Sequence, residues 1–298
     1  MCSSSPIKTR IKGVAYEVAF WRSLFAFRSS RDNLYNWSRY GRDFQLQNFD
    51  VETFLDAEVA AGRTPLVLDV GCGASFSPGN MLHGKPLDIH FIDPLAPFYN
   101  KILRRQRPAY FPLVELGAVE HLSAFWPEES VTLIHIQNAL DHSRDPLRGI
   151  VESMRCLRIG GVLYLKHYTN EAEREAYRGF HQFNVCAEDG QLVVWRPDER
   201  QVINELLAGC AQIELSQTAL GEVVAVCRKI ASVPSALYDD MADRRLLFEQ
   251  QTATLEAFNG FGFSLKYHIL SAFYTIVQTC MRFVPRNLKS KLRKRLKK

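Results

Sequence analysis

An apolar run that ends in two closely spaced glycines constrains this chain more than any other feature. Residues 66–70 are apolar apart from Asp69 and partly β-branched, which predicts a buried strand of a parallel sheet. Gly71 and Gly73, on either side of Cys72, permit positive φ and let the backbone approach a ligand closely. A strand that ends in such a turn at the carboxyl edge of an open sheet forms a ligand crevice.

Alternating strands and helices follow this stretch and indicate an α/β fold with a mostly parallel sheet. Strands are predicted near 66–70, 87–92, 111–115, 131–136, 162–167, 211–216 and 222–228, and helices near 95–105, 146–158 and 198–208. Asp145 and Pro146 provide an N-cap and a first-turn proline for the middle helix, and Gly160 with Gly161 is predicted to end it. Only a few residues around Gly221 join the last two strands, so these strands are expected to be antiparallel.

The composition divides the chain into three parts. We predict a helical N-terminal cap over residues 1–62, an α/β domain over 63–230 and a helical extension over 231–298. Arginines lie between aromatic residues in the first part. That pattern is compatible with a phosphate or nucleic-acid surface, but a cap whose arginines extend into water is favoured. In the third part a surface helix is expected over 241–258.

Composition and cysteine usage favour a globular protein in a reducing compartment. The chain is 47% hydrophobic and 23% charged, as soluble proteins are. Its seven cysteines are scattered without a CxxC motif, which is not the pattern of a disulfide framework or a structural zinc. No apolar stretch is long enough to predict a membrane-spanning helix or a signal peptide. We therefore expect a cytoplasmic location.

The net charge of +5 comes from the end of the chain. Residues 282–298 contain nine lysines and arginines and no acid, so the rest of the chain is mildly acidic. An apolar face at helical spacing precedes them, from Ile269 to Val284. Three interpretations stay open for 268–298: an amphipathic helix on the inner, anionic face of a membrane, a docked helix with a solvated tail, and a nucleic-acid arm. The aliphatic face makes the nucleic-acid arm the weakest of the three.

The glycine turn lacks the features of a phosphate site. A dinucleotide-binding turn has a third glycine where this chain has Phe76, and a P-loop has a lysine that is missing here. Asp69, two residues before the first glycine, would repel a pyrophosphate. Its carboxylate suits a cationic group such as an α-amino group.

Two further acids follow the next strands of the predicted sheet. Asp93 ends the second strand, where a carboxylate can accept hydrogen bonds from both hydroxyls of a ribose. Glu120 follows the third strand, where an adenine edge could lie. Acids at three successive strand ends beside a glycine turn predict a site for a cationic ligand that contains a ribose.

The motifs along residues 64–166 resemble those of the class I S-adenosylmethionine-dependent methyltransferases, and of the methyltransferase type 11 domain in particular. The similar segments are 68–73 (LDVGCG), 92–94 (IDP), 120–122 (EHL), 125–142 and 155–163 (RCLRIGGVL). The resemblance weakens toward residue 228. It implies a Rossmann-like α/β fold, with a seven-stranded, mostly parallel sheet and a terminal antiparallel hairpin, and makes 63–230 the cofactor-binding domain.

The resemblance also implies S-adenosyl-L-methionine as the cofactor and assigns residues to it. These residues are Asp69, Gly71, Cys72 and Gly73 beside the methionine part, Asp93 beside the ribose, Glu120 on the adenine side, and Asn138 at the reacting end. The segment after the glycine turn departs from the family pattern, since Pro78 and Gly79 interrupt the helix that usually follows.

An oxygen acceptor must lose a proton when it is methylated, and this requires a base. The candidates are His142, His181 and His167, since the pKa of histidine lies near the working pH, with Asp141 as the residue that orients His142. No recognised metal-ligand spacing is present, and no metal is expected.

Residues 167–184 combine polar and aromatic side chains, which suit a sugar or another polyhydroxylated substrate. Similar stretches resemble bacterial methyltransferases of surface-polysaccharide or glycolipid biosynthesis. We expect methyl transfer to a small-molecule or lipid-linked acceptor, with O-methylation of a glycan precursor as the specific hypothesis. The open alternatives are a cofactor-binding scaffold that regulates a membrane partner, and an RNA methyltransferase. The oligomeric state is not predicted.

Overall fold

The computed structural model describes residues 6–27, 32, 38–106, 111–238 and 261–284. Its longer helices are α1 (Pro6–Ala26), α2 (Val51–Ala60), α3 (Ala96–Gln106), α4 (Pro146–Cys156) and α7 (Phe261–Phe283), and its short ones are α5 (Glu171–Arg174) and α6 (Ile203–Leu206). The strands are β1 (Leu66–Val70), β2 (Met81–Leu82), β3 (Lys85–Pro86), β4 (Asp88–Asp93), β5 (Glu115–Leu116), β6 (Val131–Gln137), β7 (Leu157–Tyr168), β8 (Asn184–Glu188), β9 (Gln191–Arg196), β10 (Glu199–Val202), β11 (Ala211–Gln217) and β12 (Glu222–Lys229).

The main sheet has seven strands in the order β11-β12-β7-β6-β1-β4-β5. Strands β7, β6, β1, β4 and β5 are parallel to one another, whereas β12 is antiparallel to both β7 and β11. The predicted fold class, a Rossmann-like mostly parallel sheet with a terminal antiparallel hairpin, is therefore confirmed. The carboxyl ends of β1, β4 and β6 meet at one edge of this sheet.

Alternating side chains of the central strands pack on the two faces of the sheet. Leu68 and Ile134 belong to the cluster that includes α4, whereas Val67 and Leu133 pack against Leu55 of α2. Each of these five side chains is fully buried, which stabilises the fold by about 1.5–3 kcal/mol per side chain. The strand that carries the glycine turn is therefore held rigidly from both sides.

The first and last described helices lie together over one end of the sheet. The ring of Tyr16 in α1 contacts that of Tyr274 in α7, with centroids 5.5 Å apart, and Arg22 donates a hydrogen bond to Ser271. Both helices contribute to a cluster that also contains Phe91 of β4 and residues of α3. The predicted N-terminal helix and the apolar helix before the tail are thus present. The predicted helix over 241–258 and the tail beyond 284 lie outside the described residues.

Three local predictions were wrong. The strand predicted over 111–115 is reduced to Glu115–Leu116, because the side chain of Asn100 hydrogen-bonds both backbone groups of Val114 in place of a strand neighbour. The helix predicted over 198–208 is instead β10 followed by the four residues of α6. Gly160 and Gly161 do not end helix α4, which stops at Cys156. They lie inside β7, at an irregularity in its pairing with β6.

A second, three-stranded sheet of β8, β9 and β10 was not predicted. Asp189 and Gly190 both have positive φ (49° and 76°) and form the tight turn between β8 and β9. An Asp-Gly pair between two apolar runs is a strong hairpin signal, so the sequence contained the information. This sheet lies beside the segment that was expected to recognise substrate.

Candidate active site

A cavity of about 520 Å³ opens at the carboxyl edge of the main sheet. The glycine turn forms its floor: the backbone N–H groups of Gly71 and Cys72 donate to the carbonyl of Ile92, and Gly71 has a φ of +72°. At Gly73, with a φ of +60°, an added Cβ would lie 2.4 Å from the ring of Trp21. Both glycines are therefore required by backbone conformation and by space.

Asp93 joins the end of β4 to the glycine turn. One carboxylate oxygen accepts from the backbone N–H of Gly73 at 3.1 Å and the other from that of Leu95 at 2.7 Å. The side chain is buried and lines the cavity. Burial raises the pKa of Asp93 to about 6, although the two backbone hydrogen bonds favour the ionised form.

Asp69 forms a buried pair with a histidine of the neighbouring strand. The parallel register places Asp69 of β1 beside His135 of β6, and Nδ1 of His135 lies 2.7 Å from Asp69 Oδ1. The other oxygen, Oδ2, is buried and has no hydrogen-bond partner within the described part of the chain. Asp69 also lines the cavity, so a cationic group there would find an unpaired carboxylate oxygen.

Glu120 and Asn138 line the cavity on either side of the turn region and hold loops in place. Glu120 accepts a hydrogen bond from the backbone N–H of Arg144 at 2.7 Å, and burial raises its pKa. Asn138 has a φ of +49°, and its side-chain oxygen accepts from the backbone N–H of Tyr168 at 3.1 Å. All seven cofactor residues predicted from the sequence therefore line one cavity.

Two histidines that line the cavity form a cluster with a buried aspartate behind them, which we call the histidine cluster: Asp141, His142 and His181. Asp141 Oδ2 lies 2.8 Å from Nδ1 of His181, which lies 3.0 Å from Nε2 of His142. Burial would raise the pKa of Asp141, but the charge of His142 and the hydrogen bond from His181 lower it to about 2. Burial also opposes the charge on His181, yet the hydrogen bond and charge of Asp141 raise its pKa. The cluster can therefore hold and exchange a proton.

His167, the remaining predicted base, lies outside the cavity wall. It is buried in β7, and within the described residues neither ring nitrogen has a hydrogen-bond partner. Burial lowers its pKa to about 4, so it is neutral at pH 7. Unlike His142 and His181, it does not line the cavity.

Helix α1 supplies part of the cavity that the sequence did not predict. Glu17, Phe20 and Trp21 line it from the N-terminal segment, and Phe180 lines it from the loop before β8. The ring of Trp21 contacts that of Tyr99 in α3, with centroids 5.9 Å apart. The spacing of aromatic residues in α1 indicated an apolar face, but only the tertiary structure places that face over the glycine turn.

The sequence of the region that carries this site is similar to a known domain. Residues 68–165 match the methyltransferase domain. The match covers about a third of the chain and includes Asp69, the glycine turn and the histidine cluster's Asp141 and His142. It confirms the predicted cofactor, S-adenosylmethionine. No curated protein matches the sequence significantly.

Solved structures of methyltransferases resemble this fold at a distance. A possible histamine N-methyltransferase of Thermotoga maritima is 15% identical, with a TM-score of 0.38, over 70% of this chain and 99% of that one. The 1,6-didemethyltoxoflavin-N1-methyltransferase of Burkholderia thailandensis is 14% identical, with a TM-score of 0.40, over 78% of this chain and 93% of that one. The T. Thermophilus 16S rRNA N2 G1207 methyltransferase is 14% identical, with a TM-score of 0.36, over 57% of this chain but only 36% of its own length. Their acceptors do not transfer to this chain at such low similarity.

The predicted cofactor suits the residues of this cavity. The unpaired Asp69 Oδ2 provides an acceptor for the α-amino group, and the Asp93 carboxylate lies beside the glycine turn where a ribose would be bound. The cavity is large enough for a ligand of this size and still extends to the histidine cluster. Donor and acceptor can therefore occupy one continuous space.

Proposed function

We propose that this protein is an S-adenosylmethionine-dependent methyltransferase that acts on a hydroxyl group of a small or lipid-linked acceptor. The observation that carries the proposal is that one cavity is lined both by the glycine turn with Asp69 and Asp93 and by the histidine pair His142 and His181. The first set fits the methyl donor, and the second provides a base for an acceptor that must lose a proton.

We assign the cofactor residues by the charge and hydrogen-bonding groups that they offer. Asp69 binds the α-amino group through Oδ2, and Asp93 accepts hydrogen bonds from the ribose. Glu120 lies on the adenine side, and Asn138 lies beside the reacting methyl group. Because Gly71 and Gly73 have no Cβ, the methionine part can lie close to the backbone of the turn.

The chemistry requires positioning and removal of one proton. The bound sulfonium supplies an already activated methyl group. Helix α1 and the aromatic rings of Trp21 and Phe180 cover the site, which limits the access of water. The pair of His142 and His181 takes up the hydroxyl proton, and Asp141, in contact with His181, stabilises the positive charge that the pair gains.

The acceptor end favours a polar substrate with several hydroxyl groups. Glu17, Tyr168, Glu171 and Phe180 line it and combine carboxylate acceptors with aromatic faces. These groups support a sugar or glycan precursor as the specific acceptor class. The two alternatives make other predictions. A regulatory scaffold would bind the cofactor without turnover, and an RNA methyltransferase would bind RNA with a steep salt dependence.

Calorimetric titration of the full-length protein with S-adenosylmethionine and S-adenosylhomocysteine, with NAD as a control ligand, tests the proposal. We expect binding of both sulfur ligands and none of NAD. Asp69→Asn should weaken binding about tenfold or more, since a charged hydrogen bond contributes about 1.5–3 kcal/mol. Asp88→Asn, at the exposed opposite end of β4, is the matched control and should bind normally. Failure to bind either sulfur ligand, or a preference for NAD, would overturn the proposal.

We also propose that α7 attaches the protein to the inner, anionic face of a membrane. Four apolar side chains of this helix form a stripe that is 57–67% exposed: Leu265, Ile269, Phe273 and Ile276. The opposite face packs on α1 through Tyr267, Leu270 and Tyr274. The basic residues of 282–298 follow in the sequence and complement anionic lipid. Among the described residues no helix is both long and apolar enough to cross a bilayer.

A further inference from the structure

The histidine cluster lies within reach of two further carboxylates. Glu17 of α1 offers a carboxylate oxygen within 4.8 Å of a ring nitrogen of His142 and of His181. Glu171 of α5 offers one within 4.8 Å of a ring nitrogen of His181 and of a carboxylate oxygen of Asp141. The five side chains come from four segments of the chain: α1, the turn at Leu140–His142 after β6, α5 and the loop before β8. The fold therefore brings two imidazoles and three carboxylates together at the acceptor end of the cavity.

The spacing of the three central atoms is that of ligands around one ion. Asp141 Oδ2, His181 Nδ1 and His142 Nε2 are separated by 2.8, 3.0 and 3.4 Å. Ligand atoms bound at about 2.1 Å lie about 3.0 Å apart at cis positions of an octahedron and about 3.4 Å apart in a tetrahedron. The three atoms thus form a compact triangle, and one ion about 2.1 Å from each atom could take the place of the hydrogen bonds between them.

The polar groups of the cluster are incompletely satisfied without a further partner. His181 Nδ1 faces both Asp141 and His142, although a single N–H is directed well at only one acceptor. Asp141 is 2% exposed, and its Oδ1 has no hydrogen-bond partner within the described part of the chain. A cation coordinated by Oδ2 would compensate for this buried charge.

We propose that His142, His181 and Asp141, with Glu17 or Glu171 as a further ligand, bind a divalent transition-metal ion. Imidazole nitrogens mixed with carboxylate oxygens suit zinc, iron, cobalt or manganese better than calcium or magnesium, which prefer oxygen alone. Only His142 and Asp141 are close in sequence, which explains why the ligand spacing was not recognisable.

The role of the ion rests on the proposed function. It binds the acceptor hydroxyl and lowers its pKa, so that the proton leaves to water through a carboxylate of the cluster. The oxygen then attacks the methyl carbon of the donor as the carbon–sulfur bond breaks, and the sulfur keeps that electron pair. The products are the methyl ether and S-adenosylhomocysteine, and one proton is released. With the ion bound, His142 is a metal ligand and does not act as the base. The ion activates the acceptor hydroxyl in its place.

Cobalt binding to the full-length protein tests the site. The protein is stripped with EDTA, dialysed and titrated with Co²⁺, and both the visible absorption of the ion and its amount per chain are measured. We expect one tightly bound Co²⁺ per chain in this site. His181→Ala should weaken it about 100-fold or more, and His142→Ala should do the same, since each removes a direct ligand.

The chain provides a matched control. Glu52, Asp56 and His83 form a second group with metal-ligand spacing, but all three are exposed on the protein surface. His83→Ala should leave the tight Co²⁺ site unchanged. S-adenosylhomocysteine binding, measured in parallel, shows that each variant is folded.

The proposal is overturned if the wild-type protein binds no Co²⁺ tightly, or if His83→Ala abolishes binding while His181→Ala retains it. If the wild-type protein binds S-adenosylhomocysteine but no Co²⁺, the proposed metal site is refuted and the proposed function stands. The converse result, a metal site without binding of the sulfur ligands, refutes the proposed function instead.

Discussion

The buried carboxylate of Asp93 makes cofactor affinity depend on pH in a way that can be worked out from the structure. Burial raises its pKa from 3.8 to about 6 in the protein without ligand. Since one pKa unit corresponds to about 1.4 kcal/mol, the ionised form is disfavoured by about 3 kcal/mol relative to an exposed aspartate. Hydroxyl groups of a bound ribose would donate to this carboxylate and offset that cost.

The sign of the effect follows from which state binds the proton. Because the pKa of Asp93 is raised, the native protein holds a proton between pH 4 and 6 that the unfolded chain has lost. The protonated Asp93 therefore favours the native state at low pH, and this advantage is lost as pH rises through 6. The cofactor requires the ionised form. Its affinity should therefore be highest above pH 6 and should fall about tenfold between pH 7 and pH 5.

Calorimetry with S-adenosylhomocysteine at pH 5, 6 and 7 measures this, with Asp93→Asn as the test variant. The amide does not titrate, so the slope due to this residue should vanish. At pH 7 the Kd of the variant should rise about 10- to 100-fold, because charge-assisted hydrogen bonds are replaced by neutral ones. His181, whose pKa is also raised, titrates equally in both proteins and cancels from the comparison. An equal slope in the two proteins would refute the reasoning.

Two further predictions concern the glycine turn and the exposed helix stripe. Gly73→Ala should weaken S-adenosylhomocysteine binding at least about tenfold by calorimetry, because the added Cβ collides with the indole ring of Trp21. Gly190→Ala is the control, since Gly190 has a similar φ but open space around it. An equal loss of affinity in both variants would contradict the prediction. Replacing Ile269 and Phe273 by serine should reduce the affinity for anionic vesicles, measured by co-sedimentation, about 30-fold, because about 2 kcal/mol or more of binding free energy from apolar burial in the lipid is lost. Leu220→Ser, which changes an exposed apolar residue outside α7, should have no effect. Unchanged sedimentation of the double variant would argue against membrane attachment.

The mostly parallel main sheet, the glycine turn and the class of cofactor could be predicted from the sequence, whereas the sheet of β8, β9 and β10 was missed. Residues 66–73 form a strand and turn because apolar residues that are buried on both sides precede two glycines at positive φ, and these requirements are local. The match over 68–165 and the sheet order agree with that prediction. The domain boundaries and the roles of individual site residues remain predictions.

The partners of the polar residues depended on contacts between distant segments. Asp69 pairs with His135 because the β1–β6 register places them side by side, and a shift of one residue would have turned them to opposite faces. His181 and His142 both looked like candidate bases, but 39 positions separate them, and only folding brings their nitrogens to 3.0 Å.

The cover of the site depended on the same kind of contact. Helix α1 precedes the glycine turn by about 50 residues, and its apolar spacing would suit any surface. Packing against α3 and α7 directs Trp21 over Gly73 and Glu17 toward the histidines. Hydrophobic burial is non-directional, so a pattern in sequence specifies that a face is buried, whereas the choice of its partner requires the whole fold.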